Sequence, residues 1–306
     1  MNKLFNFFSY YQWWKNLDKF ILSIIITLFF TGLFFSLVST SLIASDKLET
    51  NSYFFFFKHF IFVLIGFVII FIFSYMDQKF LYKFSIYVFC LSLLMLFLVP
   101  IIGVEVKGSK RWLDLFFLPR LQPIELVKPF FIIVLSLIIT FKKFSNFVLK
   151  FSFSLLLTLL VSSLLVIQPD LGQTLVIGLI WIILIFISGV NLIFLTSVSV
   201  VGASLLLYFA FFIPKFSYIK NRLLSFFDSE KGTYNFQSDM AIDSITSGGF
   251  FGKGVGEGTL KNRVPEAHTD YIISVISEEF GVIVIILILV LFLTFIFSVL
   301  KKVNNE

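Results

Sequence analysis

The amino-acid sequence predicts an all-α fold, a polytopic transmembrane helical bundle with about eight spans. Of the 306 residues, 58% are apolar and only 14% are charged, whereas an ordinary soluble domain carries roughly a quarter charged residues. The charges are clustered, and the uncharged stretches between them reach the roughly 20 residues that a hydrocarbon core of about 30 Å requires of a helix. Lipid offers the backbone no hydrogen-bond partners, so these stretches are expected to be helical.

Turn-forming residues separate the predicted spans where the connections are short, as at 168–170 and 188–191. The spans cover residues 20–44, 55–75, 84–104, 125–141, 147–167, 171–189, 191–213 and 271–300. The first is too long for the apolar region of a signal peptide, so we expect it to remain as an uncleaved span. Trp13 and Trp14 precede it, as is typical of a membrane-interface belt. Residues 1–306 are expected to form one membrane domain.

The distribution of lysine and arginine predicts the orientation. With the N-terminus in the cytoplasm, the short inside loops are basic, as the positive-inside rule expects. The outer loop 105–124 nevertheless contains four cations, which indicates that they are retained for a task. The loop 214–270, before the last span, is rich in glycine and charged residues. We expect this large extracytoplasmic loop to build a site outside the membrane, because glycine lets the backbone approach a ligand closely.

The composition argues against several function classes. The single cysteine, Cys90, has no partner for an internal disulfide. The two histidines, His59 and His268, are far apart in sequence, so no zinc site is expected. The sequence contains neither a phosphate-binding loop nor a dinucleotide fingerprint after a strand. We therefore expect no nucleotide chemistry and no nucleic-acid partner.

Basic residues are concentrated in the segment Lys-Gly-Ser-Lys-Arg-Trp at 107–112. Arg111 and its neighbours suit an anionic diphosphate headgroup, because a guanidinium can bind two phosphate oxygens at once. The alternative is a membrane anchor whose cations reach lipid phosphates. The segment alone favours neither interpretation.

Ionisable residues also mark the ends of two predicted spans. Glu125 and Lys128 are three residues apart, which places them on one helix face. They are either functional, as ionisable residues at membrane depth often are, or a structural ion pair. Asp170 precedes another span, where it is expected to accept hydrogen bonds from free helix amides as an N-cap.

The segment 247–270 is the strongest candidate for chemistry. It combines glycines, cations including Lys261, and Asp270 just before the last predicted span, which contains Glu278 and Glu279. A partly desolvated carboxylate can act as a general base, and nearby cations can stabilise a departing phosphate. The structural alternative makes Asp270 a helix cap and the two glutamates an internal polar contact.

Four segments in order resemble the successive signatures of the FtsW/RodA family, also called SEDS (shape, elongation, division, sporulation). They are Gly-Val-Glu-Val-Lys-Gly-Ser-Lys-Arg-Trp (103–112), Gln-Pro-Ile-Glu-Leu-Val-Lys (122–128), Gln-Pro-Asp-Leu-Gly-Gln (168–173) and Pro-Glu-Ala-His-Thr-Asp-Tyr-Ile (265–272). The Trp-Trp start and the glycine-rich run 252–259 look most like the cell-division branch. Together these matches cover nearly the whole chain.

The resemblance implies a peptidoglycan glycosyltransferase of the inner (cytoplasmic) membrane. Such an enzyme polymerises lipid II into glycan strands on the outer face with inversion, and undecaprenyl diphosphate leaves. The essential aspartate of the family corresponds to Asp270, expected to be the general base. The expected substrate-binding residues are Arg111, Glu125, Lys128, Lys261 and His268. No metal ligand is assigned and no cofactor is expected, with a divalent cation left open.

The resemblance also implies partners and alternatives. A class B penicillin-binding protein is expected to supply transpeptidation, with lipid II, membrane lipids and other divisome proteins as further partners. The family usually has ten spans and a serine where this chain has Ile124. Two alternatives to glycosyl transfer stay open. One is a lipid II flippase, and the other, if the chain is truncated, is a non-catalytic divisome scaffold.

Overall fold

A computed structural model describes residues 10–39, 53–106, 109–114, 119–141, 147–227, 236–264, 267 and 269–305. Within these ranges the elements are α1 (Tyr10–Asn16), α2 (Lys19–Ser39), α3 (Phe54–Tyr75), α4 (Gln78–Ile102), β1 (Val104–Val106), β2 (Ser109–Trp112), α5 (Pro123–Thr140), α6 (Phe147–Ile167), α7 (Leu171–Ile187), α8 (Leu192–Phe212), a 3₁₀-helix (Pro214–Phe216), α9 (Ser217–Phe227), α10 (Phe236–Gly248), a 3₁₀-helix (Leu260–Arg263), α11 (Ile272–Phe280) and α12 (Val282–Asn305).

The described helices confirm the prediction of a multi-pass helical membrane protein. Seven of them are long and apolar enough to cross a membrane, and the shorter α7 is also apolar. The helix α12 buries none of its side chains within the protein. Such an apolar surface is what a helix in contact with lipid presents, because lipid tails solvate it. Residues 40–44 of the first predicted span lie outside the described residues.

The prediction of one last span over 271–300 is wrong. The chain forms two helices there, α11 and α12, which are separated at Gly281. Gly281 has a φ of +81°, and its amide donates to the carbonyl of Ser277 at 2.9 Å, which closes the end of α11. Glycine adopts this left-handed conformation without a steric penalty. Glu278 and Glu279 therefore lie in a helix of nine residues, which is too short to span a bilayer.

The chain divides into two compact units. The first contains residues 77–224 and the second contains residues 7–76 together with 225–306. The segment 214–270 contains the helices α9 and α10 and both 3₁₀-helices. Its placement outside the cytoplasm stays a prediction.

The first unit has a buried apolar core that α4 to α7 share. Two long polar side chains are also satisfied inside it, because Gln168 Nε2 donates to the carbonyl of Leu96 at 3.0 Å and Trp181 Nε1 donates to Ser154 Oγ at 3.1 Å. The strands β1 and β2 form an antiparallel hairpin beside α4, with Val106 opposite Ser109. The fully buried core side chains include Leu96, Val99, Val127, Phe131, Leu135, Val161, Leu165 and Ile177.

The second unit packs aromatic side chains between its helices. Trp13 is buried, stacks on Tyr75 with ring centroids 4.7 Å apart, and donates its indole N–H to Ser74 Oγ at 3.0 Å. Trp13 thus packs between helices, whereas Trp14 is exposed, and the placement of this pair at the membrane interface stays a prediction. Phe280 at the end of α11 packs edge-on against Phe35 of α2, with ring centroids 5.5 Å apart.

Candidate functional site

Arg111 joins the β-hairpin of the first unit to the start of α7. Its Nη2 donates to the carbonyl of Pro169 at 2.6 Å, and its Nε lies 3.6 Å from Asp170 Oδ2. Asp170 is the N-cap of α7 and accepts from the Gln173 amide at 3.4 Å, which confirms the predicted cap. The guanidinium has five N–H donors, so these contacts leave capacity for phosphate oxygens.

Glu125 and Lys128, which their spacing places on one helix face, form an ion pair. Lys128 Nζ lies 2.7 Å from Glu125 Oε2 in the first turns of α5. Gln173 Nε2 donates to Glu125 Oε1 at 3.0 Å, so the start of α7 contacts both Glu125 and, through Asp170, Arg111. About half of the Glu125 side chain is exposed, and an exposed pair stabilises a fold little. Arg111, Glu125, Lys128, Asp170 and Gln173 together form the first-unit cluster. Its exposed Glu125 makes the cluster accessible to a polar ligand.

Gln173 is the member of the first-unit cluster that sequence reasoning missed. Its Nε2 faces Glu125, and its Oε1 has no hydrogen-bond partner among the described residues. The sequence signal for including Gln173 was its position three residues after the N-cap Asp170, because this spacing puts both residues at the same end of α7. Gln173 therefore orients one oxygen of Glu125 while Lys128 holds the other.

Asp270 lies in the second unit and is exposed, directly before Tyr271, the N-cap of α11. Tyr271 makes no side-chain cap bond. The structural alternative for Asp270, a helix cap, is wrong because the N-cap position is occupied by Tyr271. The structure leaves the carboxylate accessible at the start of a helix that is buried over residues 274–279. His268 and the adjacent 265–266 lie outside the described residues.

Glu278, at the opposite end of α11, accepts hydrogen bonds from three consecutive backbone amides. Its Oε1 accepts from Thr259 and Leu260, both at 2.9 Å, and its Oε2 accepts from Lys261 at 2.6 Å. The side chain is fully buried. The interpretation of the glutamates as an internal polar contact is confirmed, and Glu278 fixes the segment that leads to Asp270 against the end of α11.

Side-chain donors complete the environment of Glu278. Ser244 Oγ donates at 3.1 Å and Lys253 Nζ at 3.2 Å. Burial raises the pKa of Glu278, but the amides of Leu260 and Lys261, with Lys253 and Ser244, outweigh burial and hold this pKa below its ordinary value. Glu278 is therefore ionised at neutral pH.

Glu279 holds the other side of the same loop. Its carboxylate is paired with the ammonium of Lys261 and accepts from the Gly256 amide at 3.1 Å. Lys261 is itself buried. In the structure the Lys261 ammonium supports the loop, and the expected contact between Lys261 and substrate stays a prediction. Within the described ranges, no three His, Cys, Asp or Glu side chains are grouped as metal ligands.

The residues 248–258 form a glycine-rich turn that lies against α11 so closely that two glycines, Gly248 and Gly252, have no room for a side chain. Gly252 has a φ of +77°, and a Cβ there would collide with the carbonyl of Glu279. Gly249 has a φ of +58° with nothing within 4 Å of its Cβ position. A left-handed alanine costs about 1–2 kcal/mol at either position. We expect Gly252→Ala to lower the free energy of unfolding by at least about 1 kcal/mol more than Gly249→Ala.

Thermal unfolding of both variants in detergent measures this difference between the two glycines. Gly249→Ala is the matched control, because its positive φ also strains an L side chain but without the collision. Equal destabilisation by the two substitutions would show that the turn does not pack against α11 in this way.

Acid is expected to release the glycine-rich turn and the 259–261 segment from α11. Because folding lowers the pKa of Glu278, the folded state binds fewer protons there, and the stabilisation is complete above 4.5, the ordinary value. It is lost as the pH falls below this value and through the folded pKa. We expect protease cleavage in 248–264 to accelerate in this range. Glu278→Gln should remove the acid-induced rise in cleavage. A pH profile of cleavage in Glu278→Gln equal to that of the wild type would contradict the role of Glu278.

The fold and the polar residues define a class: a polytopic helical membrane protein with ionisable side chains at the ends of apolar helices. The family model of FtsW, RodA and SpoVE, described as "Cell cycle protein", matches residues 18–305. The chain therefore belongs to the FtsW/RodA/SpoVE family, which confirms the resemblance seen in the four sequence segments.

Two relatives are named "Probable peptidoglycan glycosyltransferase FtsW". The protein of Coxiella burnetii is 33% identical over 263 residues, which are 83% of this chain and 69% of the relative. That of Caulobacter vibrioides is 29% identical over 273 residues, which are 89% of this chain and 68% of the relative. This chain is similar to both over most of its length.

Solved structures share the fold. One is described as "Structural coordination of polymerization and crosslinking by a peptidoglycan synthase complex". Its chain matches with a TM-score of 0.69 at 22% identity, and the match covers 92% of this chain and 76% of the other. The rod shape determining protein RodA of Thermus thermophilus matches with a TM-score of 0.60 at 21% identity, and the match covers 92% of this chain and 73% of RodA. The helical bundle predicted from hydropathy is confirmed.

Proposed function

We propose that this protein is a peptidoglycan glycosyltransferase that polymerises lipid II during cell division, at the outer face of the inner membrane. Family membership and the names of the relatives support this class of reaction. The observation that carries the proposal is the exposed carboxylate of Asp270 at the start of α11. The other end of α11 is held by the buried Glu278 and Glu279, so the helix is a rigid support for a reacting group.

Asp270 acts as the general base. Its carboxylate accepts the proton of the 4-hydroxyl of an acceptor GlcNAc, and the hydroxyl oxygen forms a bond to the anomeric carbon of the donor sugar. The bond from that carbon to the diphosphate breaks, and its electron pair leaves with undecaprenyl diphosphate. Attack from the face opposite the leaving group inverts the anomeric centre.

The cations bind the anionic part of the substrate. Lys128 and Arg111 offset the charge that develops on the departing diphosphate, and Glu125 orients Lys128 through their 2.7 Å ion pair. Lys261 and His268 are further proposed substrate contacts. We assign no cofactor to the reaction, and a divalent cation on the diphosphate has no ligand set among the described residues.

A class B penicillin-binding protein is the proposed partner, together with other divisome proteins. The structure of a peptidoglycan synthase complex that couples polymerization to crosslinking has the same fold. A transpeptidase bound to this chain would crosslink the strands as they are made.

The test is polymerisation of fluorescent lipid II by the purified protein with its transpeptidase partner in liposomes. We expect glycan strands that a muramidase digests. A parallel assay follows movement of the lipid II headgroup between leaflets. Headgroup movement without any glycan would overturn the proposal in favour of a flippase, and neither activity in a complex that still assembles would indicate a scaffold.

A further inference from the structure

Two phenylalanines form the tip of the glycine-rich turn. Phe250 and Phe251 expose 71% and 83% of their surface, and no other large apolar side chain whose burial the structure describes is as exposed as Phe251. Gly249 and Gly252, both with positive φ, flank the pair and turn the chain sharply on each side. The fold thus presents an aromatic pair outward on a short turn.

The backbone of this tip is fixed to the first residues of α12. The amide of Val282 donates to the carbonyl of Gly249 at 3.0 Å, and the amide of Ile283 donates to the carbonyl of Phe250 at 3.4 Å. These bonds use helix amides that have no partner inside α12, and they satisfy two carbonyls of the turn. A non-helical segment is tolerated at membrane depth when its polar groups are satisfied by protein in this way.

The length of α12 sets the level of the turn. From Val282 to Leu300 the helix has about 19 residues without a charge, followed by Lys301 and Lys302. At about 1.5 Å per residue this stretch is about 28 Å long, close to a hydrocarbon core of about 30 Å. With the two lysines at one boundary of the hydrocarbon, Val282 lies at the other.

We propose that Phe250 and Phe251 insert into the bilayer as a membrane wedge beside the start of α12. The tip is bonded to the first turn of α12, where Ile283 and Ile286 are also exposed. The ligand is the hydrocarbon of the bulk bilayer. The wedge fixes the membrane depth of the glycine-rich turn, and this inference does not depend on glycosyl transfer.

Depth-dependent fluorescence quenching tests the membrane wedge. The exposed Cys90 is first replaced by serine, and Phe251→Cys is labelled with a polarity-sensitive fluorophore in liposomes that contain nitroxide lipids. Leu293→Cys, 64% exposed within α12, is the lipid control, and Asp243→Cys, exposed on α10, is the aqueous control. Phe250→Cys provides an independent second position on the tip.

We expect nitroxides near the headgroups to quench the labels at 250 and 251. Nitroxides deeper in the bilayer should quench the control label at 293. Aqueous iodide should quench the tip labels several-fold less than the label at 243. Iodide quenching equal to that at 243 would overturn the wedge and place the tip in water. Protection from both quenchers would overturn it too, since the tip would then be covered by protein.

Discussion

Asp270→Asn is expected to reduce the rate of lipid II polymerisation by a factor of about 10² to 10⁴, the usual contribution of a general base. An amide has nearly the size of the carboxylate but does not take the proton of the attacking hydroxyl. Because Asp270 is exposed, the free energy of unfolding should change by less than about 0.5 kcal/mol. The measurement is the initial rate of lipid II consumption by the purified complex.

Asp243→Asn is the matched control for Asp270→Asn. It makes the same chemical change at an exposed aspartate of the second unit, on α10, and should leave the rate unchanged. A wild-type rate in Asp270→Asn would remove Asp270 from the mechanism. An equal loss of rate in both variants would attribute the effect to surface charge.

Glu278→Ala is expected to destabilise the second unit by about 3–5 kcal/mol, the typical cost of removing one partner from a buried charged pair. The amides of Thr259, Leu260 and Lys261 would lose their acceptor inside the protein, and Lys253 would lose its ion pair. Buried donors left without acceptors carry the full cost of their desolvation. Thermal unfolding in detergent measures the change.

Glu257→Ala is the control for Glu278→Ala, because Glu257 is an exposed glutamate of the same glycine-rich turn. Its removal should alter the free energy of unfolding by less than about 0.5 kcal/mol. Glu278→Gln should lie between the two, since its carbonyl oxygen still accepts from some of the amides. Equal stability of Glu278→Ala and Glu257→Ala would contradict the role of Glu278 as an anchor.

The sequence predicted those features that depend on neighbouring residues. Apolar runs predicted the membrane helices, because the cost of exposing polar backbone to lipid leaves few alternatives. The three-residue spacing of Glu125 and Lys128 placed them on one helix face, where they form an ion pair. The chemistry of helix N-caps predicted the role of Asp170.

Contacts between distant residues could not be predicted. Glu278 binds the backbone amides of 259–261, and every residue except proline has such an amide, so no residue type marks the partner. Arg111 of the hairpin donates to the carbonyl of Pro169, 58 residues away in sequence, and lies beside Asp170. Gly281 stands at the start of an apolar run, and the carbonyl of Phe250, 31 residues earlier in the chain, leaves no room for a Cβ there.

The most direct test of glycosyl transfer at Asp270 measures glycan and undecaprenyl diphosphate together in one reaction. The wild-type complex should release one undecaprenyl diphosphate for each disaccharide added to a strand. Asp270→Asn, with unchanged thermal unfolding and partner binding, should produce neither product above about a hundredth of the wild-type rate. Strand growth by Asp270→Asn at the wild-type rate would contradict the account.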